Sequence, residues 1–340
     1  MPVYLFPGQG AQFTGMGIDL DIADSDGSTG VRSLFDLASG LFGSDIRQLL
    51  NSDAEVLKRT DMSQVAITVA SLAAVRALSY RGIKPSACAG FSLGEYSALA
   101  VSGVISEADA IRLTIERGRI MQKVAESINS ATAATSSAGH ANTLADAPAS
   151  ASEASSTAGM SAVLGLSSVA VDQVIMTGLA NGTFKANSIF AANYNSPLQT
   201  VISGTEESLV AAEVAFKAAG ARRAIRLKVA GPFHSPLMIK AGEEFAKVLE
   251  SVTFADPAIP LFSNVTGKRI TSGAEAKKCA VAHISSPVRW TEEEEAIAAL
   301  MASISETELV EVGPGKVLSG LWADSKQAGS CKPYTEILNP

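Results

Sequence analysis

The pentapeptide Gly90-Phe91-Ser92-Leu93-Gly94 constrains this chain more than any other stretch. Small and apolar residues at 86–91 lead into it, and residues 95–101 leave it with helix-compatible spacing, so the order is strand, sharp turn, helix. Elsewhere along the chain strands and helices alternate, with a late strand at 309–312, so a parallel-sheet α/β architecture is expected. The two glycines leave room for the tight passage. Ser92 is then either a nucleophile carried on the turn or an ordinary turn serine, and its strand and helix flanks favour the nucleophile.

A sheet of this kind needs a large core, and 340 residues with 47% hydrophobic and 18% charged content supply one large domain plus a smaller one. The net charge of -7 gives no general attraction to polyanions, so neither nucleic acid nor an anionic membrane is an expected partner. Cys88, Cys279 and Cys331 are scattered and lack metal-ligand spacing, so a metal site or disulfide framework is not expected, and the compartment reads as reducing and cytoplasmic. The apolar run at 3–6 breaks at Pro7-Gly8, too early for a signal-peptide core. Thr68, Ser71 and Arg76 interrupt the apolar stretch 65–78, which reads as a packed helix and not a membrane span. A targeting peptide removed beforehand would make a eukaryotic organelle the alternative location.

Residues 127–158 are almost entirely Ala, Ser, Thr, Gly and Asn, with too little bulky apolar surface to offset ordering entropy, so they read as a flexible insert. Beyond it the rhythm changes. Strand 161–166, helix 169–179, strands 188–193 and 200–203, helix 206–219 and strand 222–229 give β-α-β-β-α-β, the ferredoxin-like order. The expected organisation is therefore a large α/β domain of 1–126 and 226–340, the insert 127–158, and a small ferredoxin-like subdomain of 159–225. On the strand 222–229, Arg222, Arg226 and Lys228 share one face by alternation, a possible basic surface.

A serine nucleophile needs a base, and the chain has three histidines. His140 lies in the insert, where nothing holds its geometry, and His283 reads as a satisfied structural histidine. His234 stands in Gly231-Pro232-Phe233-His234-Ser235-Pro236, a rigid turn in which Ser235 can cap and Pro236 can open a helix. A helix N-terminus there would keep the ring neutral and able to accept a proton; the alternative is a turn histidine beside a cap. In the expected helix 107–126, Arg112, Glu116, Arg119 and Lys123 form the polar face, whereas Arg117 shares the other with Ala110, Leu113, Thr114, Met121 and Val124. An arginine on that stripe needs an anion, either a structural carboxylate or the carboxylate of a substrate. Gln9, between Gly8 and Gly10 at the end of the first strand, can approach a ligand closely, or simply belong to a tight turn. Gly8-x-Gly10 is followed by Phe13 where a dinucleotide fingerprint needs its third glycine, and no phosphate-loop lysine follows.

Together, Phe6-Pro7-Gly8-Gln9-Gly10, Gly90-Phe91-Ser92-Leu93-Gly94-Glu95-Tyr96-Ser97-Ala98, Glu116-Arg117-Gly118, Phe233-His234 and Glu311-Val312-Gly313-Pro314-Gly315 closely resemble malonyl-CoA:acyl carrier protein transacylases. The motifs keep the family's order and spacing over nearly the whole chain, apart from the insert. The resemblance implies a hydrolase-like α/β core with a ferredoxin-like subdomain. It implies Ser92 as nucleophile, His234 as base, and Arg117 as the clamp on the malonyl carboxylate. Backbone amides of Gln9 and Leu93 would form the oxyanion hole, and the histidine would be oriented by a backbone carbonyl and not by a triad carboxylate, Asn264 matching that position. Phe233, as in malonyl-selective members, and Met121 would line the acyl site. Malonyl-CoA and phosphopantetheinylated acyl carrier protein are the implied partners, with no cofactor. A serine esterase or thioesterase shares the elbow and is the enzymatic alternative, although its histidine usually comes late in the chain and a neutral ester gives Arg117 no purpose. A non-catalytic carrier-protein-binding scaffold is the other.

Overall fold

The computed structural model describes residues 1–138 and 157–339. In chain order the strands among them are β1 (Val3–Phe6), β2 (Ala87–Gly90), β3 (Ala158–Leu164), β4 (Ile189–Ser196), β5 (Gln199–Thr205), β6 (Arg223–Arg226), β7 (Leu261–Ser263), β8 (Lys268–Ile270), β9 (Glu308–Glu311) and β10 (Ser330–Pro333). Six of them form one sheet in the order β10-β9-β1-β2-β7-β8. Every pairing in it is parallel except β7 with the edge strand β8. The four residues of β1 and the four of β2 are all buried, as a central parallel strand covered on both faces requires.

The second sheet is antiparallel throughout, in the order β4-β5-β3-β6, with helices Ser168–Ala180 and Glu206–Ala218 as its connections. This is the ferredoxin-like arrangement expected from the β-α-β-β-α-β order. Its hydrophobic core, built on Val163, Val171, Phe184, Ile202, Leu209 and Phe216, is separate from those around the large sheet. The two parts are stitched by backbone: Val288 N donates to Ala192 O at 2.8 Å, and Tyr194 N donates to Val288 O at 2.9 Å.

Two long helices support the elbow. By length and composition Thr60–Tyr80 is the one helix among the described residues that could cross a membrane, yet 78% of its apolar window is buried inside the protein. It packs along Glu107–Ala138, which corrects one expectation: residues 127–138 continue this helix and are not part of a flexible insert. Alanine's helix propensity prevails over the serines and threonines, and Ser127 and Ser130 satisfy their hydroxyls on the carbonyls of Val124 and Glu126, one turn back. The rest of the expected insert, up to residue 156 and including His140, lies outside the described residues.

Candidate active site

β2 is made of Ala87, Cys88, Ala89 and Gly90, small enough for helix Gly94–Val101 to fold straight back over its end. The approach is so close that a Cβ on Gly94 would stand 2.0 Å from Phe6 O, and one on Gly90 would stand 2.1 Å from Gly94 C. Between them Ser92 is forced to a positive φ of 49°, a conformation that non-glycine residues rarely adopt. Its Oγ lies 2.7 Å from His234 Nε2.

His234 also has a positive φ, 56°, and is buried. Its Nδ1 faces the carbonyl oxygens of His283 and Ser286 at 3.1 and 3.3 Å. Carbonyls only accept, so Nδ1 carries the proton and Nε2 is left bare toward the Ser92 hydroxyl. Burial, and after it the charge of Arg117, lowers the imidazole to about 4, against the two carbonyl contacts. Neutrality therefore comes from desolvation and a nearby cation. The expected helix cap is absent: Ser235 Oγ donates to Pro232 O at 2.6 Å, and Pro236 opens a single 3₁₀ turn, Pro236–Met238, ahead of helix Ile239–Leu249.

Arg117 is 1% exposed, and no carboxylate among the described residues lies within ion-pairing distance of it. Nη1 donates to Gln64 Oε1 at 2.8 Å, the guanidinium carbon lies 5.5 Å from the centre of the Tyr96 ring, and Nε and Nη2 have no hydrogen-bond partner among the described residues. Of the two anions open to it, the described residues supply no structural carboxylate in contact. Glu95 nevertheless adds favourable charge from further away, although burial pushes that carboxyl up to about 7.

Ser92, His234 and Arg117 line one cavity of about 340 Å³, together with Gln9, Leu93, Met121 and Phe233. The backbone N–H groups of Gln9 and Leu93 donate to no acceptor among the described residues. Asn264 is placed differently from expectation and does not touch His234. Its Oδ1 accepts from Ser92 N at 2.5 Å and faces His283 Nε2 at 3.2 Å, while Nδ2 donates to Gly90 O and Glu293 Oε2 at 2.7 and 2.8 Å. It grips the elbow, and among the described residues the two carbonyls are what His234 Nδ1 meets. The basic face is also changed: Arg226 pairs with Glu206 and Glu213, and because β6 stops at Arg226, Leu227 and Lys228 both line the cavity.

Sequence reasoning missed Gln64, Glu293 and the side chain of His283. The signal of Gln64 in the sequence is a polar residue one position ahead of the apolar stretch 65–78, on the same helix as Thr68, Ser71 and Arg76. Glu293 sits in the acidic run 292–295, which looks like a solvated helix face, yet Glu293 and Glu294 are fully buried.

A mainly parallel sheet with a strained serine elbow, a neutral histidine, free backbone donors and a buried cation in one cavity is the frame of an acyltransferase. Residues 3–150 match the acyl transferase domain family. The chain is 37% identical over 319 residues to the malonyl CoA-acyl carrier protein transacylase of Bacillus subtilis strain 168, covering 94% of this chain and 88% of that one. The solved acyl carrier protein S-malonyltransferase of Vibrio cholerae superposes with a TM-score of 0.79 at 33% identity, covering 97% of this chain and 95% of that one. A malonyl-transacylase solved in complex with its type II PKS acyl-carrier protein gives 0.80 at 33% identity, covering 97% and 94%. The chain belongs to the malonyl CoA-acyl carrier protein transacylase family.

Proposed function

We propose that this protein transfers the malonyl group of malonyl-CoA to the phosphopantetheine thiol of acyl carrier protein through a malonyl ester on Ser92, supplying fatty acid biosynthesis. One observation carries the reading: a buried arginine with no carboxylate partner among the described residues lines the same cavity as a hydrogen-bonded serine–histidine pair. A hydrolase acting on neutral esters has no use for that cation.

The Ser92 Oγ–carbon bond forms at the thioester carbonyl as the carbon–sulfur bond breaks. The hydroxyl proton passes to His234 Nε2 and from there to the departing sulfur of CoA. The carrier-protein thiol then attacks the ester, returning its proton through His234 to Ser92. In both halves the oxyanion falls to the Gln9 and Leu93 amides, where losing one such donor costs about 100- to 1000-fold in other acyl-transfer enzymes. Arg117 holds the free carboxylate, and Met121 and Phe233 wall the acyl group. We assign this chemistry to the domain of the large sheet, residues 159–225 forming the small subdomain beside it, and the location to the cytoplasm, in keeping with the three free cysteines.

Intact-mass analysis after brief incubation with malonyl-CoA tests the reading. A malonyl adduct mapped to Ser92, discharged by carrier protein and absent in Ser92→Ala, is expected. Hydrolytic turnover at full rate without carrier protein points to the thioesterase alternative, and no adduct at all to a scaffold.

A further inference from the structure

His283 lies outside the serine–histidine pair, is 1% exposed, and meets His234 directly and Ser92 through Asn264. Its carbonyl accepts from His234 Nδ1 at 3.1 Å. Its ring Nε2 lies 3.2 Å from Asn264 Oδ1, the oxygen that accepts from Ser92 N. The direction of that ring bond follows from its neighbours. Ser92 N–H can only donate, so the atom of Asn264 facing it is the oxygen, and His283 Nε2 must then be the donor. Its Nδ1 is bare, in keeping with the absence of any partner there. The groups facing the ring are Glu95 Oε2 at 3.9 Å, the stacked Tyr96 ring at 6.5 Å and the His234 ring at 5.5 Å, with the Arg117 charge nearby.

We propose that the imidazole of His283 is a positioning group that sets Ser92 and His234 at reacting distance from one another. This role rests on the acylation of Ser92 proposed for the site. Asn264 uses all its capacity: two donors enter Oδ1, and Nδ2 serves Gly90 O and Glu293 Oε2. Removing the His283 N–H leaves Oδ1 held by Ser92 N alone, so the amide and the strained elbow it grips lose a fixed reference. The same ring anchors residue 283 just past helix Gly273–Ala282, where the main chain turns and its carbonyl meets His234. One side chain thereby ties the nucleophile, through Asn264, to the base, through its own backbone. A histidine retained only for packing against Tyr96 would need the ring's volume but not its donor.

The test is a pair of variants that both fill the ring's space: His283→Met, without a donor, and His283→Gln, whose amide can donate to Asn264. Acylation is followed by quenched intact mass over malonyl-CoA concentration, and folding by thermal unfolding. A displacement of about 1 Å at reacting atoms costs on the order of 100-fold, so the folded Met variant should acylate about 10- to 100-fold more slowly with the KM for malonyl-CoA unchanged. The Gln variant should recover most of the rate. A folded Met variant at wild-type rate, or a Gln variant as slow as Met, overturns the proposal. Wild-type protein that forms no adduct on Ser92 overturns the functional reading beneath it instead, so the two failures are told apart.

Discussion

Arg117 Nη1 donates to Gln64 Oε1 across 2.8 Å, which leaves the Nε and Nη2 edge of the guanidinium without a partner. The same edge of Arg47 shows what it is suited for, since its Nε and Nη2 take the two oxygens of Asp21 at 2.9 and 2.8 Å. Arg117 thus carries, without a partner among the described residues, the same edge that takes a carboxylate in bidentate fashion on Arg47.

Arg117→Ala should therefore impair malonyl transfer far more than acetyl transfer. Charge-assisted hydrogen bonds contribute about 1.5 to 3 kcal/mol each, so the malonyl-to-acetyl ratio should fall at least about tenfold. Arg117→Lys should recover only part, because an ammonium lacks the planar fork. Equal loss with both acyl groups in a folded Arg117→Ala protein would make the arginine structural.

Gln64 fixes the guanidinium, and its own orientation is set by Nε2 donating to Met121 Sδ at 3.3 Å. Gln64→Leu should lower the same ratio by a smaller factor, about 3- to 10-fold, since one neutral hydrogen bond is worth about 0.5 to 1.5 kcal/mol. A Leu variant with unchanged selectivity would show that Arg117 holds its position without this amide.

The pH profile should show a neutral base. Because burial and Arg117 lower His234 to about 4 in the folded protein, kcat/KM for malonyl-CoA should stay level from about pH 7.5 down to about 5.5. It should then decline as the ring protonates. Arg117→Gln removes the second cause of the depression, so its acid limb should move to higher pH. A wild-type midpoint near the ordinary histidine value would mean the ring is hydrated in solution.

The spacing of Gly90 and Gly94 carries a separate prediction about the fold. A Cβ on Gly94 would stand 2.0 Å from Phe6 O, which is central-strand backbone and cannot yield, so Gly94→Ala should prevent correct folding or unfold the protein at far lower temperature. Gly40 is the control: it is exposed within helix Val31–Phe42 and has open space around it. Gly40→Ala should stabilise by about 0.5 to 1 kcal/mol. Equal melting temperatures for Gly94→Ala and wild type would refute the close crossing.

Local chemistry made much of this legible. The elbow, the β-α-β-β-α-β order and the lone arginine on an apolar stripe each follow from spacing that sequence displays directly. Asn264 is located by the resemblance to the family, but nothing in Ser263-Asn264-Val265 says whether its amide will reach Ser92 or His234. His283, Glu95 and Glu293 meet Asn264 from separate elements, and such a network exists only once the sheet is assembled. The helix beyond residue 126 was missed for another reason: its composition is poor in core-forming side chains, but its alanines need only the preceding turns to continue a helix already begun.

That extension has its own anchor. Asn129 Nδ2 donates to Ala230 O at 3.1 Å, and its Oδ1 accepts from Ala158 N at 2.9 Å, so a single amide joins the long helix to the start of β3 and to the segment that leads to Phe233 and His234. Both backbone partners are partly buried, and losing their hydrogen bonds costs about 1 to 3 kcal/mol. Asn129→Ala should accordingly lower the melting temperature by several degrees, at the scale of about 2 to 4 °C per kcal/mol for larger domains. Asn129→Asp keeps the acceptor for Ala158 N but offers no donor to Ala230 O, and should fall between Ala and wild type. The ranking separates an anchor from a helix that merely passes by: if Ala and Asp melt with the wild type, this amide holds nothing, and the helix past residue 126 is fixed by its own propensity alone.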